Sequence, residues 1–220
     1  MKVVCFDLDD TLYKEVDFLR SAFREIAEYA LSISANLNMS ADDLYEGMLD
    51  AYFSKKDAFD YLVALIGTDL DKPTLLNLYR NHVPQIALSE GAFELLTELK
   101  NRGYEVGIIT DGRSVQQRNK IKALGLDMIF SEGNIIISEE FGTEKPNIDN
   151  YRYFMKQFPT VTDFIYVGDN VNKDFVAANL LGWTTICLRD NGMNIHKQNF
   201  DVDSRYLPLQ IVDTFHDWEL

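Results

Sequence analysis

Two aspartates one residue apart, Asp7 and Asp9, stand where the apolar run Lys2–Phe6 gives way to Asp7-Leu8-Asp9-Asp10-Thr11. Thr110-Asp111-Gly112 follows a second apolar run, and Lys145-Pro146 opens a helical pattern farther along. Gly168-Asp169-Asn170 closes a later apolar run, with Asp174 a short step beyond. Taken one at a time these are ordinary turn residues, helix caps and a solvated lysine. Their conjunction is different, because sites in an open parallel sheet form beyond the carboxyl ends of its strands. Four acids, a hydroxyl and a lysine would then meet on one edge. Two carboxylates about 4 Å apart repel by roughly 4 kcal/mol at an effective dielectric of about 20. Gathering Asp7, Asp9, Asp169 and Asp174 therefore calls for a cation. Hard oxygen donors completed by water suit Mg2+, which commonly brings a phosphate with it.

The elements that must position these groups alternate along the chain. Short continuous apolar runs at Lys2–Phe6, 104–109, 134–137, 164–167 and Thr184–Leu188 read as buried parallel strands. Helical patterns lie between them. Ser89 reads as the N-cap of a helix with Phe93, Leu96 and Leu99 on one face, ended by Gly103. Val115, Ile121 and Leu124 mark a second, stopped by Gly125; others follow at 151–158 and 175–181. This alternation predicts an α/β fold with a Rossmann-like, doubly wound parallel sheet.

One segment breaks the pattern. From about 14 to 84 there is no strand signal, and Val16, Leu19, Phe23, Ile26, Ala27, Ala30 and Leu31 form a single helical stripe. Ser40 caps a stretch through Leu44, Met48 and Tyr52, and a last helix opens near Pro73. The expectation is an all-helical domain at 14–84 inserted into a sheet domain made of 1–13 and 85–220. The tail from 189 offers a weak strand at 205–208 and a short helix, with no functional signal.

Composition narrows the function. With 35 acidic against 21 basic residues the formal charge is −14, which repels nucleic acid and anionic membranes in general. A small anionic substrate stays admissible, since a local site can invert the global field. No apolar stretch approaches the roughly 20 residues of a membrane helix. The apolar run at the start is also shorter than the core of a signal peptide, so a cytoplasmic protein is expected. Cys5 and Cys187 form neither a CxxC nor a zinc spacing and read as packed, reduced thiols.

The motifs FDLDDTLY, IITDG, EKPN and YVGDNVNKD, in that order, resemble the four motifs of the haloacid dehalogenase-like hydrolase superfamily. The match runs from residue 3 to 188, and the inserted helices resemble the C1 cap of the family's subgroup I. That resemblance implies an Mg2+-dependent phosphatase acting on a small phosphorylated metabolite. Asp7 would be the nucleophile and Asp9 the general acid and then base. Thr110 and Lys145 would hold the transferring oxygens, with Asp111 and Gly112 beside them at the substrate. Asp7, the backbone carbonyl of Asp9 and Asp169 would bind Mg2+, with Asp174 either a ligand or a partner behind the ligands. Family dehalogenases lack the second acid of the first motif; its presence as Asp9 argues against dehalogenation.

Other readings remain beside the phosphatase. The motifs do not separate it from a phosphomutase. A phospho-accepting receiver domain is disfavoured, because its acceptor follows the third strand of a chain about half this length. A silent phosphate-binding protein is disfavoured because no motif residue is missing. Tyr13, Phe18, Tyr45, Tyr52 and Phe53 are candidates to line a cap that closes over substrate. Arg113, His82, His196 and His216 carry no spacing that demands a role and read as surface residues. No pattern assigns an oligomeric state.

Overall fold

The computed structural model describes residues 1–34, 38–67 and 69–218. In chain order the elements are β1 (Lys2–Phe6), α1 (Glu15–Ile33), α2 (Ala41–Phe53), α3 (Ala58–Ile66), α4 (Lys72–Asn81) and α5 (Ala92–Asn101). They continue with β2 (Glu105–Thr110), α6 (Ser114–Ala123), β3 (Ile135–Ile137), α7 (Ser138–Phe141) and α8 (Ile148–Gln157). The last are β4 (Asp163–Gly168), α9 (Val176–Leu180), β5 (Thr184–Leu188) and β6 (Gln210–Val212).

The chain divides into two compact units, one of Met1–Val16 with Ala87–Leu220 and one of Asp17–Ile86. In the first, six parallel strands form one sheet in the order β3-β2-β1-β4-β5-β6. Val3, Val4, Cys5 and Phe6 of β1 are fully buried, as a central strand covered on both faces requires. The chain winds outward from β1 to β2 and β3, then returns to β4 and winds the other way. That reversal makes the gap between β1 and β4 the switch point of the sheet. Cys5 and Cys187 are buried and free.

In the helical unit, Leu19, Phe23, Ile26, Ala27 and Ala30 of α1 are buried, as their spacing predicts. Phe23 packs its ring against Tyr52, Phe59 and Tyr79. Ser40 and Asp43 close a reciprocal capping box at the head of α2, and Asp71 caps α4 ahead of Pro73. Among the described residues no helix is long and apolar enough to cross a membrane.

Several local expectations fail for identifiable reasons. The cap position of α5 is taken by Gly91 at φ 77°, and the Ser89 hydroxyl has no hydrogen-bond partner among the described residues. The inward face of α5 is Ala92, Leu95, Leu96 and Leu99, which leaves Phe93 exposed. On α6, Val115 is exposed while Gln117 and Lys120 are buried beside Ile121. The tail strand is β6, and Ser204–Tyr206 forms a 3-10 turn instead. Only Val212 of β6 is buried, so this edge strand has no apolar run to reveal it. His82 is a buried residue: its Nε2 lies 2.7 Å from Ser21 Oγ, and its Nδ1 meets Glu25.

Candidate active site

Strand register assembles the site. Phe6 lies opposite Ile108 of β2 and Val167 of β4, so Asp7, Thr110 and Asp169 leave the sheet side by side at the switch point. The Asp7 backbone N–H donates to the Val167 carbonyl at 2.8 Å, which fixes the first residue beyond β1. Lys145 Nζ donates to Asp7 Oδ1 at 2.6 Å and lies 2.9 Å from Asp174 Oδ1. Its third contact is the Tyr166 hydroxyl at 3.1 Å. Asp174 Oδ2 accepts the backbone N–H groups of Asp169 at 3.1 Å and Asn170 at 2.7 Å. This approach needs a glycine before Asp169, because a Cβ on Gly168 would stand 2.5 Å from Asp174 Oδ2.

Asp9 is held by a different set of partners. Its Oδ1 accepts from the Tyr13 hydroxyl and from Lys120 Nζ at 2.7 Å, and its Oδ2 accepts from Gln117 Nε2 at 2.7 Å. The same Gln117 nitrogen reaches Thr110 Oγ1 at 2.7 Å and the Asp111 carbonyl at 2.9 Å. The side chain of Asp111 is held by the Lys145 backbone N–H and by Lys173 Nζ, each a bonded partner of one oxygen. Gly112, at φ 140°, donates its N–H to Ser138 Oγ at 2.9 Å. It lines a separate cavity with Arg113, Ser138 and Glu139.

A pocket of about 190 Å³ opens on this edge, lined by Asp7, Asp9, Thr110, Asp111, Asp169 and Lys173 together with Asp10, Glu15, Asn170 and His196. The tail and the first loop contribute to its surroundings. Asn194 Nδ2 donates to Asp169 Oδ2 at 2.8 Å, and Gln198 Nε2 donates to the Asp169 carbonyl at 2.9 Å. Asp10, at φ 58°, accepts the backbone N–H of Glu15 at 3.0 Å on one oxygen and that of Ile195 at 2.9 Å on the other. His196 lines the pocket and is itself exposed, in keeping with the surface reading from sequence. Arg113 and His216 are exposed as expected.

Burial dominates the electrostatics. It pushes Asp7 up to about 7 against the pull of Lys145, and lifts Asp169 to about 9 with help from Asp174 and Asp7. Glu15 is raised to about 8 by burial and by Asp9. For Asp9, burial alone would act upward, but Lys120, Tyr13 and Gln117 outweigh it and hold the carboxyl below its usual range. Carboxylate oxygens of Asp7, Asp169 and Asp174 lie within 4.8 Å of one another. Fully ionised, these three carboxylates would exceed the charge of the Lys145 ammonium between them by two, which is the deficit a hard dication would fill. Asp7 and Asp169 are the better donors, because both oxygens of Asp174 are already engaged by backbone N–H groups, Lys145 and Tyr166. The Asp9 carboxylate stands outside this cluster.

Of the aromatic side chains expected to line a cap, Tyr13 belongs to the sheet unit and bonds Asp9. Phe18 is fully buried, Tyr45 lies beneath the Arg24 guanidinium, Tyr52 packs on Phe23, and Phe53 is exposed. Residues absent from the sequence reading are Gln117, Lys120, Tyr166, Lys173, Asn194 and Gln198. Gln117 and Lys120 share the inward face of α6 with Ile121, where a polar residue needs a partner, but Ile121 is a weak signal for that face in so polar a helix.

Comparison with known proteins agrees with this architecture. The family model of the haloacid dehalogenase-like hydrolases matches residues 4–188. A glyceraldehyde 3-phosphate phosphatase of Methanocaldococcus jannaschii is 33% identical over 196 residues, covering 84% of each chain. The enzyme of that name from Methanothermobacter thermautotrophicus is 26% identical, over 97% of this chain and 96% of its own. Among solved structures, the magnesium-bound hydrolase YfnB of Bacillus subtilis superposes with a TM-score of 0.65 at 21% identity, covering 96% of this chain and 93% of its own. The chain belongs to the haloacid dehalogenase-like hydrolase family. Within it, the chain is a phosphoric monoester hydrolase.

Proposed function

We propose that this enzyme releases phosphate from a small phosphorylated metabolite of the glyceraldehyde 3-phosphate kind, with Asp7 as nucleophile and a divalent cation, Mg2+, as cofactor. The observation that carries this reading is the Asp7 carboxylate at the switch point, 2.6 Å from Lys145 and in one pocket with Asp9 and Asp169. An Asp7 oxygen attacks phosphorus in line, the ester bond breaks, and the leaving oxygen takes a proton from Asp9. Asp9 then takes a proton from water as that water attacks the aspartyl-phosphate, returning Asp7 and inorganic phosphate. Lys120, Gln117 and Tyr13 all donate to the Asp9 carboxyl and favour its ionised form, the form that this second step uses. Lys145 and Thr110 hold phosphoryl oxygens. When bound, the cation would be held by Asp7 and Asp169 and would offset charge on the transferring group. We assign Asp174 to alignment of Lys145, and the inserted helical unit to the family's cap.

Phosphate release should be measured on glyceraldehyde 3-phosphate, other short sugar phosphates, nucleoside monophosphates and p-nitrophenyl phosphate, with Mg2+ and with EDTA. Metal-dependent release, fastest on the three-carbon substrates, is the expected outcome. The relatives' names support hydrolysis over phosphate transfer to a second hydroxyl; accumulation of an isomerised sugar phosphate would overturn that choice.

Metal binding also has a pH signature. Above about pH 4, the folded chain favours protons that the unfolded chain has released, on Asp7 up to about pH 7 and on Asp169 up to about pH 9. Their contribution to stability therefore falls as pH rises through that window. Mg2+ favours the ionised carboxylates, so it should raise the melting temperature more at pH 8.5 than at pH 5.5, by about 2–4 °C for each kcal/mol gained. Asp169→Asn should flatten the difference. Equal shifts at both pH values in the parent protein would refute metal binding at these carboxylates.

A further inference from the structure

Most side chains around the pocket are spoken for. Asp9, Thr110, Asp111 and Lys173 have partners within the protein, and Asp7 and Asp169 belong to the phosphoryl chemistry. Two remain, Glu15 and His196, whose side chains have no hydrogen-bond partner among the described residues.

Their backbones, by contrast, are fastened. One carboxylate, Asp10, receives the N–H of Glu15 on one oxygen and the N–H of Ile195, the neighbour of His196, on the other. Asn194 adds a bond to Asp169 and another from Lys14 Nζ at 2.7 Å. Rigidly placed groups with unused hydrogen-bonding tips are what a specificity pocket requires, since each unmet group penalises a ligand that cannot satisfy it.

Resting on the phosphatase reading, we propose that Glu15 and His196 bind the part of the substrate that does not carry phosphate, and select a short, uncharged, hydroxyl-bearing chain. A hydroxyl both donates and accepts, so it can satisfy a carboxyl and an imidazole together. A carboxylate only accepts, so it cannot meet a carboxyl and an imidazole together as a hydroxyl does, and a substrate bearing one is disfavoured. A pocket of about 190 Å³ in the sheet unit lies below the roughly 300–1,000 Å³ of drug-sized ligand sites, which favours a chain of few carbons.

The test compares kcat/KM on glycerol 3-phosphate, ethyl phosphate and 3-phosphoglycerate, in Mg2+, for the parent enzyme and for Glu15→Gln, Glu15→Ala and His196→Ala. The parent should prefer glycerol 3-phosphate to 3-phosphoglycerate by tenfold or more. In His196→Ala and Glu15→Ala the ratio of glycerol 3-phosphate to ethyl phosphate should fall about tenfold, mainly through KM. Glu15→Gln should narrow the discrimination against 3-phosphoglycerate. Ratios that stay within twofold of the parent in all three variants overturn the inference while leaving the phosphatase intact. A parent enzyme inert on p-nitrophenyl phosphate as well removes the phosphatase reading, and this inference with it.

Discussion

Asp7→Asn should cut phosphate release by about four orders of magnitude or more while leaving the fold in place. The amide removes the nucleophilic oxygen charge but keeps the shape of the side chain, and its carbonyl oxygen can still accept from Lys145. Asp174 continues to hold Lys145 from the other side at 2.9 Å. Burial already works against a charge on Asp7, so a neutral isostere carries little penalty there. The melting temperature should therefore stay within a few degrees of the parent. Rapid acid quenching of the parent during turnover should trap phosphate on the protein, and the variant should trap none. Turnover within tenfold of the parent would show that another group attacks phosphorus.

Lys145→Met should be the most damaging single change, because it strikes chemistry and stability at once. The ammonium lies between two carboxylates, and all three side chains are shielded from water. Removing one partner of a buried ion pair typically costs about 3–5 kcal/mol, since the remaining charge is left uncompensated. At about 2–4 °C per kcal/mol the melting temperature should fall by roughly 10 °C. Activity should fall by about three orders of magnitude, through loss of a positive charge at the transferring oxygens. The double variant Lys145→Met with Asp174→Asn separates the two effects. It should recover much of the lost stability, because one orphaned carboxylate becomes a neutral amide, and none of the lost activity. A single variant that loses activity at an unchanged melting temperature would deny the ion pair its structural share.

The legible part of the candidate site is the part that sits at strand ends. Asp7, Thr110 and Asp169 each follow an apolar run, and β1 and β5 occupy the residues their patterns predict. The haloacid dehalogenase-like resemblance then agrees with the family match over nearly the same stretch. Partners supplied by packing were harder to see. Gln117 and Lys120 look solvated in a strongly polar helix until the sheet fixes which face turns inward. The clamp on Asp169 from Asn194 and Gln198 comes from an irregular segment with no periodicity to read. Tyr13, offered from sequence as a residue to line the cap, instead bonds Asp9 within the sheet unit.

The position of β1 bears on how a ribosome can deliver this fold. The strand that carries Asp7 is central, yet its neighbours β2 and β4 begin only at Glu105 and Asp163. During translation it has no partner in the sheet until about a hundred further residues have been made. The whole of the helical unit, Asp17–Ile86, is made within that interval. Growth of the sheet must then proceed outward from its oldest strand, with every pairing spanning a long loop, the arrangement that slows folding most. The catalytic edge is finished later still, when Asn194 and Gln198 reach Asp169. A nascent chain therefore carries Asp7 long before the residues that complete its pocket have been made.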